Sequence, residues 1–151
     1  IAEKYIKLNQ QKTIIEVYEK DIHPCDDCRR CKAGDYSCPV NDDMKNIYPV
    51  LNNSGVIVFG SPVYWSGVTG PMKNFIDRLR PYYGNKKLKD KKAIIITVGT
   101  NADEEHDLIT EMYKRITGLL NIQLIGNVVM NGFDIGDIEK KGMKNFHINF
   151  E

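Results

Sequence analysis

The sequence lacks any long apolar run and carries almost no net charge. Its apolar stretches, such as Ala93 to Val98, are far shorter than the roughly 20 residues of a membrane-spanning helix. With 21 basic and 20 acidic side chains, the formal net charge is +1, so no overall field draws the chain to nucleic acid or to an anionic membrane. We therefore expect a cytoplasmic protein that binds neither, built as a single domain over residues 1–151.

Cysteine is absent outside one short window, in which the spacing is C-x2-C-x2-C-x6-C. Domains stapled by disulfides usually spread their cysteines, so a tight cluster favours metal, cluster or redox chemistry. Closely spaced thiols are typical of ferredoxin runs that bind a [4Fe–4S] cluster, whereas zinc more often takes two separated pairs. Three interpretations stay open: ligands of a [4Fe–4S] cluster, free or redox-active thiols, and zinc ligands. The candidate metal ligands are Cys25, Cys28, Cys31 and Cys38.

Short β-branched segments alternate with amphipathic helical ones. The spacing predicts strands over residues 13–18, 55–60, 93–98 and 122–130 and helices over 42–53, 69–80 and 104–120. Pro49 is expected to kink or restart the first of these helices. In the last helix, the predicted core-facing stripe is Leu108, Met112, Ile116 and Leu119. Residues 1–8 resemble the end of a helix, and 137–144 a short one. Alternation of this kind predicts an α/β fold with a parallel sheet.

The loop Gly60 to Gly67 follows a buried strand and precedes a capped helix. It therefore lies at the carboxyl edge of the sheet, where open α/β sheets bind ligands. Tyr64 and Trp65 in this loop can sandwich a planar ring; alternatively, they plug the core or contact a second subunit. Gly99 and Thr100 end the next strand at the same edge and form either a second ligand loop or a plain turn.

The run Gly60-Ser-Pro-Val-Tyr-Trp-Ser-Gly67 followed by Gly70-Pro-Met-Lys-Asn-Phe-Ile-Asp-Arg78 resembles the hallmark of the NAD(P)H-dependent FMN reductases, and the cysteine spacing resembles that of the iron–sulfur flavoproteins. The resemblance implies a flavodoxin-like, doubly wound parallel sheet of order 2-1-3-4-5. It also implies an FMN cofactor and an oxidoreductase that passes electrons from NAD(P)H through flavin to a small-molecule or protein acceptor. The residues implied to contact flavin are Ser61, Pro62, Val63, Tyr64 and Trp65, with Gly99 and Thr100 in the second loop.

By the same resemblance, Asp77 and Arg78 are structural or subunit-packing residues. A homo-oligomer is expected, with Tyr82 and Tyr83 as exposed aromatics at a subunit contact. No catalytic acid–base pair is assigned, since flavin itself carries the chemistry, and His23, His106 and His147 are interpreted as surface or packing residues.

One element of the family pattern is missing from this sequence. The first strand is central in the 2-1-3-4-5 order, yet residue 1 already lies in a helix-like segment. We expect the first strand and the phosphate loop to precede residue 1, so that the domain is N-terminally incomplete.

Two rival functions stay open. A cluster at the cysteines would favour an iron–sulfur electron carrier that exchanges electrons with ferredoxin-like partners. The missing phosphate loop favours a thiol or metal module that has lost flavin.

Overall fold

A computed structural model describes residues 12–100, 102–134, 136–137 and 146–148. Within these ranges the strands form one sheet in the order β1-β2-β3-β4. The strands are β1 (Val56–Pro62), β2 (Lys92–Gly99), β3 (Gln123–Asn131) and β4 (Phe146–Ile148). The first three pair in parallel, and β4 pairs antiparallel with β3. The predicted α/β fold with a parallel sheet is confirmed, and consecutive strands lie side by side as in positions 3-4-5 of the predicted order. The short strand β4 was not predicted.

The helices connect the strands and lie close to the predicted segments. They are α1 (Met44–Asn53), α2 (Gly70–Asp77), α3 (Pro81–Asn85) and α4 (Ala102–Leu120), with 3-10 turns at Val17–Glu19 and Arg30–Lys32. Helix α1 runs through Pro49 without the predicted restart. The predicted helix over 69–80 ends at Asp77, and Pro81 opens α3, because proline fits the first turn of a new helix.

Strand β2 is buried on both faces, whereas β1 is buried on the face of Ile57 and Phe59 and half-buried at Val56 and Val58. Ala93 and Ile95 belong to a core cluster that also contains Phe59 and Phe75, whereas Ile94 belongs to a second cluster. The alternation follows from the two-residue period of a strand. The apolar residues Met72, Phe75 and Ile76 of α2 are also buried, as is Leu79 just beyond its end.

The predicted apolar stripe of α4 is right only in its middle. Met112 and Ile116 are half-buried and pack against the core cluster, whereas Leu108 and Leu119 are 62% and 59% exposed. The core-facing side chains are instead Ile109, Tyr113 and Leu120, together with the polar residues His106, Thr110 and Thr117. Helix α4 therefore carries two adjacent stripes, and apolar periodicity selected the one at the margin of the core.

Residues 13–18 do not form the predicted strand. They run without regular structure into the 3-10 turn at Val17–Glu19. A strand needs a neighbour to pair its backbone groups, and among the described residues β1 pairs with β2 alone. Residues 1–8 and most of the predicted helix over 137–144 lie outside the described ranges.

The two tyrosines predicted to be exposed differ. Tyr82 is buried, and its hydroxyl donates to the Tyr48 carbonyl at 3.1 Å. Tyr83 is 58% exposed, as predicted.

Helix α3 touches the cysteine-bearing segment through a close ring contact. A Cβ added at Gly84 would lie 2.2 Å from Cδ1 of Tyr36, so the Tyr36 ring occupies the space that a side chain would need. We predict that Gly84→Ala lowers the free energy of unfolding by about 1–3 kcal/mol. In a Tyr36→Ala background the sign should reverse to a gain of about 0.5–1 kcal/mol, because alanine is the better helix former.

A double-mutant cycle by urea denaturation measures both values. Equal effects of Gly84→Ala in the two backgrounds would contradict the ring contact.

Candidate functional site

The carboxyl ends of the three parallel strands meet at one edge of the sheet. Pro62 at the end of β1 is in register with Val98 of β2, and Gly99 at the end of β2 is in register with Asn131 of β3. Two further backbone bonds tie the following residues together: Val63 donates to the Val98 carbonyl at 2.8 Å, and Gly132 to the Gly99 carbonyl at 3.1 Å. The loops that follow the strands therefore start from one fixed edge.

The loop after β1 forms a tight reverse turn, Tyr64–Gly67, which we call the aromatic turn. Tyr64 and Gly67 exchange both backbone bonds, at 2.9 and 3.0 Å. Trp65 and Ser66 between them have φ values of +50° and +59°, the left-handed pair of a type I′ turn. Such values cost a non-glycine residue roughly 1–2 kcal/mol, and backbone strain of this kind clusters at functional sites.

The aromatic turn presents its rings to solvent. Trp65 is 100% exposed and Tyr64 is 57% exposed. The alternative that these rings plug the core is therefore wrong for Trp65. A strained turn at the ligand-binding edge of a parallel sheet, with an uncovered indole at its tip, is suited to stack on a flat ring system.

Ser61 anchors the turn from inside. Its side chain is buried, and its hydroxyl donates to the Pro62 carbonyl at 2.8 Å and accepts from Thr69 N–H at 3.3 Å. Thr69 in turn caps α2 by accepting from Met72 N–H. The Ser61 hydroxyl thus joins the two ends of the loop. Because this hydroxyl is already bonded, a ligand at the loop would contact the backbone of Ser61 rather than its side chain. Of the other residues predicted at this site, Pro62 is exposed and Val63 is half-buried against the core.

The second predicted loop lies beside the first. A Cβ added at Gly99 would lie 3.0 Å from Cβ of Val63 and 3.3 Å from Nε2 of His106, so glycine lets the two loops pack closely. Thr100 is exposed. His106 is buried, and its Nδ1 lies 2.6 Å from the Thr97 hydroxyl. His106 is therefore a packing residue, as predicted.

Sequence reasoning missed Phe133 at the same edge. It lies two residues beyond the end of β3 and is 81% exposed. The Asp137 carboxylate accepts from the backbone N–H groups of Phe133 and Asp134, each at 3.0 Å, so the turn that presents the ring is held in place. Its position just past a parallel strand was the available signal.

The four predicted metal ligands do not converge. Cys31 is buried, Cys28 is exposed, and Cys25 and Cys38 are intermediate, all as free thiols. Among the described residues no three cysteine, histidine or acidic side chains are grouped closely enough to hold a metal ion. Burial raises the pKa of the Cys31 thiol, and the nearby Cys38 adds to the effect. In this arrangement neither a [4Fe–4S] cluster nor a zinc ion finds a preformed site.

An ion pair lies beneath the cysteine segment in the interior. Arg78 and Asp42 have side chains 1% and 0% exposed, with Nη1 and Oδ2 at 2.5 Å. Burial alone raises the pKa of the Asp42 carboxyl, but hydrogen bonds from Arg78 and from His23 and Met44 N–H outweigh it and lower the pKa. Arg78 is thus a structural residue, as predicted, whereas Asp77 pairs with Lys73 on the surface.

Comparisons with known proteins show the family to which this chain belongs. The family model for NADPH-dependent FMN reductase matches residues 1–134. An iron–sulfur flavoprotein of Archaeoglobus fulgidus is 31% identical over 144 residues, which cover 92% of this chain and 71% of that protein. A putative NAD(P)H-dependent FMN-containing oxidoreductase of Bacillus subtilis is 28% identical over 125 residues, 78% of this chain and 68% of that protein. The chain spans 45% and 58% of the lengths of two other iron–sulfur flavoproteins that it matches.

The fold has counterparts among solved structures. A flavodoxin, WrbA-like protein from Agrobacterium tumefaciens superposes with a TM-score of 0.53 at 18% identity, covering 63% of this chain and 64% of that one. The fold class is therefore flavodoxin-like, as predicted. The chain belongs to the NADPH-dependent FMN reductase family, a family of flavoprotein oxidoreductases. No helix in the described ranges is both long and apolar enough to cross a membrane.

The strain in the aromatic turn can be measured by removing a Cβ. We predict that Ser66→Gly leaves stability unchanged or raises it by up to about 1 kcal/mol, because relief of the left-handed conformation offsets the extra entropy of glycine in the unfolded chain. Ser54→Gly is the control and is compared with Ser54→Ala, because both lose the hydroxyl's hydrogen bond to the Leu51 carbonyl; at φ −76° glycine relieves nothing and should be the less stable of the two. Thermal unfolding measures all three variants, and equal losses in the two glycine variants would contradict a strained turn.

Proposed function

We propose that this chain binds FMN at the aromatic turn and the Gly99 loop and works as an NAD(P)H-dependent oxidoreductase. In this proposal the flavin ring lies against Tyr64 and Trp65, with Ser61 to Val63 and Gly99 to Thr100 contacting it through their backbone. The single observation that carries the proposal is the fully exposed Trp65 on a strained turn at the carboxyl edge of the sheet. Bound flavin would accept hydride from the nicotinamide and pass electrons to an acceptor.

The residues at the edge fit a flat heteroaromatic ring. Exposed aromatic faces supply stacking area, and Gly99 lets the second loop pack against Val63 without a clash. The proposal requires no charged side chain for the redox step, because a bound flavin would supply that chemistry while the protein orients it. A small-molecule or protein acceptor, a homo-oligomer and a single domain over 1–151 remain predictions.

The decisive measurement is an FMN titration followed by quenching of flavin fluorescence. We expect saturable binding by the purified full-length protein, which includes the strand and phosphate loop expected before residue 1, and a loss of about 10- to 100-fold in affinity for Trp65→Ala, since the indole supplies aromatic stacking and apolar burial. Tyr83→Ala is the matched control, because Tyr83 is a similarly exposed aromatic, 58% exposed, away from this edge.

Unchanged affinity in Trp65→Ala, or no saturable binding at ample FMN, rules out this placement. Anaerobic mixing of the FMN-loaded chain with NADPH or NADH then tests the activity, with bleaching of the flavin absorbance as the expected result.

A second function, iron–sulfur electron transfer to a ferredoxin-like partner, is favoured by the cysteine spacing. The described geometry does not supply the cluster site ready-made, since Cys28 faces solvent. The cysteine segment would have to rearrange so that all four thiols face one point.

Anaerobic reconstitution with iron and sulfide, followed by iron quantification, tests this second function. We expect close to four irons per chain if the four cysteines bind a cluster, and Cys31→Ser should abolish uptake. Less than one iron per chain would leave the thiols as free or redox-active groups.

A further inference from the structure

We propose that the buried Asp42–Arg78 ion pair is a latch that closes residues 24–41, which we call the cysteine loop, and that this loop opens as one unit while the parallel sheet stays folded. The loop contains all four cysteines. The proposal does not depend on flavin or on any metal, and it concerns access to the thiols rather than their chemistry.

The two ends of the cysteine loop are joined at a narrow neck. Asp21 N–H donates to the Asp43 carboxylate at 2.9 Å, and Asp43 N–H donates to the Asp21 carbonyl at 3.0 Å. His23 N–H donates to the Asp42 carboxylate at 3.0 Å. The segments on either side of the loop, residues 21–23 and 42–43, are therefore held together by these hydrogen bonds.

Helix α2 fastens this neck from the protein interior. Just past its end, Arg78 donates through Nη1 to the His23 carbonyl at 2.9 Å and to Asp42 Oδ2 at 2.5 Å, and through Nη2 to Asp42 Oδ1 at 3.1 Å. Asn74, on the same helix, donates to the Ile22 carbonyl at 3.2 Å. The Arg78 guanidinium thus bonds to both sides of the neck, and it binds the Asp42 carboxylate in the bidentate geometry that arginine favours.

The far side of the cysteine loop is attached more weakly. Asp27 pairs with Arg80 at 2.6 Å, but these side chains are 48% and 39% exposed, and exposed ion pairs contribute little to stability. Arg80 also hydrogen-bonds Cys25 at the surface. The Tyr36 ring over Gly84 and a long bond of 3.5 Å from Asn85 to the Tyr36 carbonyl add contacts with α3. The strongest attachment is therefore the buried pair at the neck.

Backbone strain favours opening once the latch is released. Asp27, Arg29 and Tyr36 have φ values of 51°, 61° and 53°, and left-handed non-glycine residues persist only where the surroundings enforce them. Cys31 is the buried thiol of this loop, at 8% exposed, whereas Cys28 is exposed. Opening therefore uncovers Cys31 and leaves the accessibility of Cys28 unchanged.

Hydrogen exchange on the unmodified protein gives the first test. The backbone amides of Asp21, His23 and Asp43 all bond across the neck, so they should exchange together. We expect them to exchange at least about ten-fold faster than the amides of β2, with a much weaker dependence on urea, as a local opening requires. Neck amides that exchange at the rate and with the urea dependence of β2 would overturn the proposal.

Variants give the second test. Asp42→Asn and Arg78→Lys should each speed exchange at the neck by about 10- to 100-fold while changing β2 much less, because breaking a buried pair leaves an unmatched group inside. Lys73→Gln is the matched control, since it removes an exposed pair with Asp77 on the same helix, and it should change neither.

The alkylation rate of Cys31 relative to that of Cys28 should rise in the variants whose neck amides exchange faster. If a bound metal protects the thiols from alkylation, the amide exchange rates alone decide the question. Equal acceleration of the neck and β2 would show that the pair supports the whole fold, and the latch would be rejected. Should Asp42→Asn fail to fold, Arg78→Lys and the unmodified protein still decide the question.

Discussion

Parallel pairing of three consecutive strands is the constraint on which the candidate site depends. Because β1, β2 and β3 run in one direction and in close register, every loop that follows a strand emerges at the same edge. Neighbouring strands lie about 4.8 Å apart, so three strand ends present a row about 10 Å wide. The aromatic turn, the Gly99 loop and Phe133 are brought together by this geometry although they are far apart in sequence.

The aromatic turn shows how the scaffold supports a conformation that the residues themselves disfavour. Trp65 and Ser66 adopt left-handed φ values, which a free peptide of this sequence would avoid. The turn holds because its ends are fixed: Val63 is bonded to β2, and Ser61 links the strand to the cap of α2. The strain lies beside a fully exposed indole at the edge where open α/β sheets bind ligands, and strain of this kind clusters at functional sites.

The sequence was informative wherever local pattern and tertiary environment agree. β1 and β2 were predictable because short β-branched runs bounded by turn residues favour strands, and the start of α2 was predictable because a capping residue precedes it. The α4 stripe was not, since Leu108 and Leu119 have the same helical spacing as a core face and only the position of the sheet selects Ile109 and Tyr113 instead. For residues 13–18, β-branched composition is insufficient without a paired neighbour.

The Asp42–Arg78 pair was also beyond local pattern, because its partners lie 36 residues apart. Burying two charges costs several kcal/mol per ion, and a well-packed apolar pair of similar volume would often stabilise the fold more. An apolar pair, however, offers no directional bonds to the His23 carbonyl or to the N–H groups of His23 and Met44. What the ion pair supplies is a defined path for the chain as it enters and leaves the cysteine loop. Its retention in the interior is therefore explained better by the geometry of that loop than by the stability of the core.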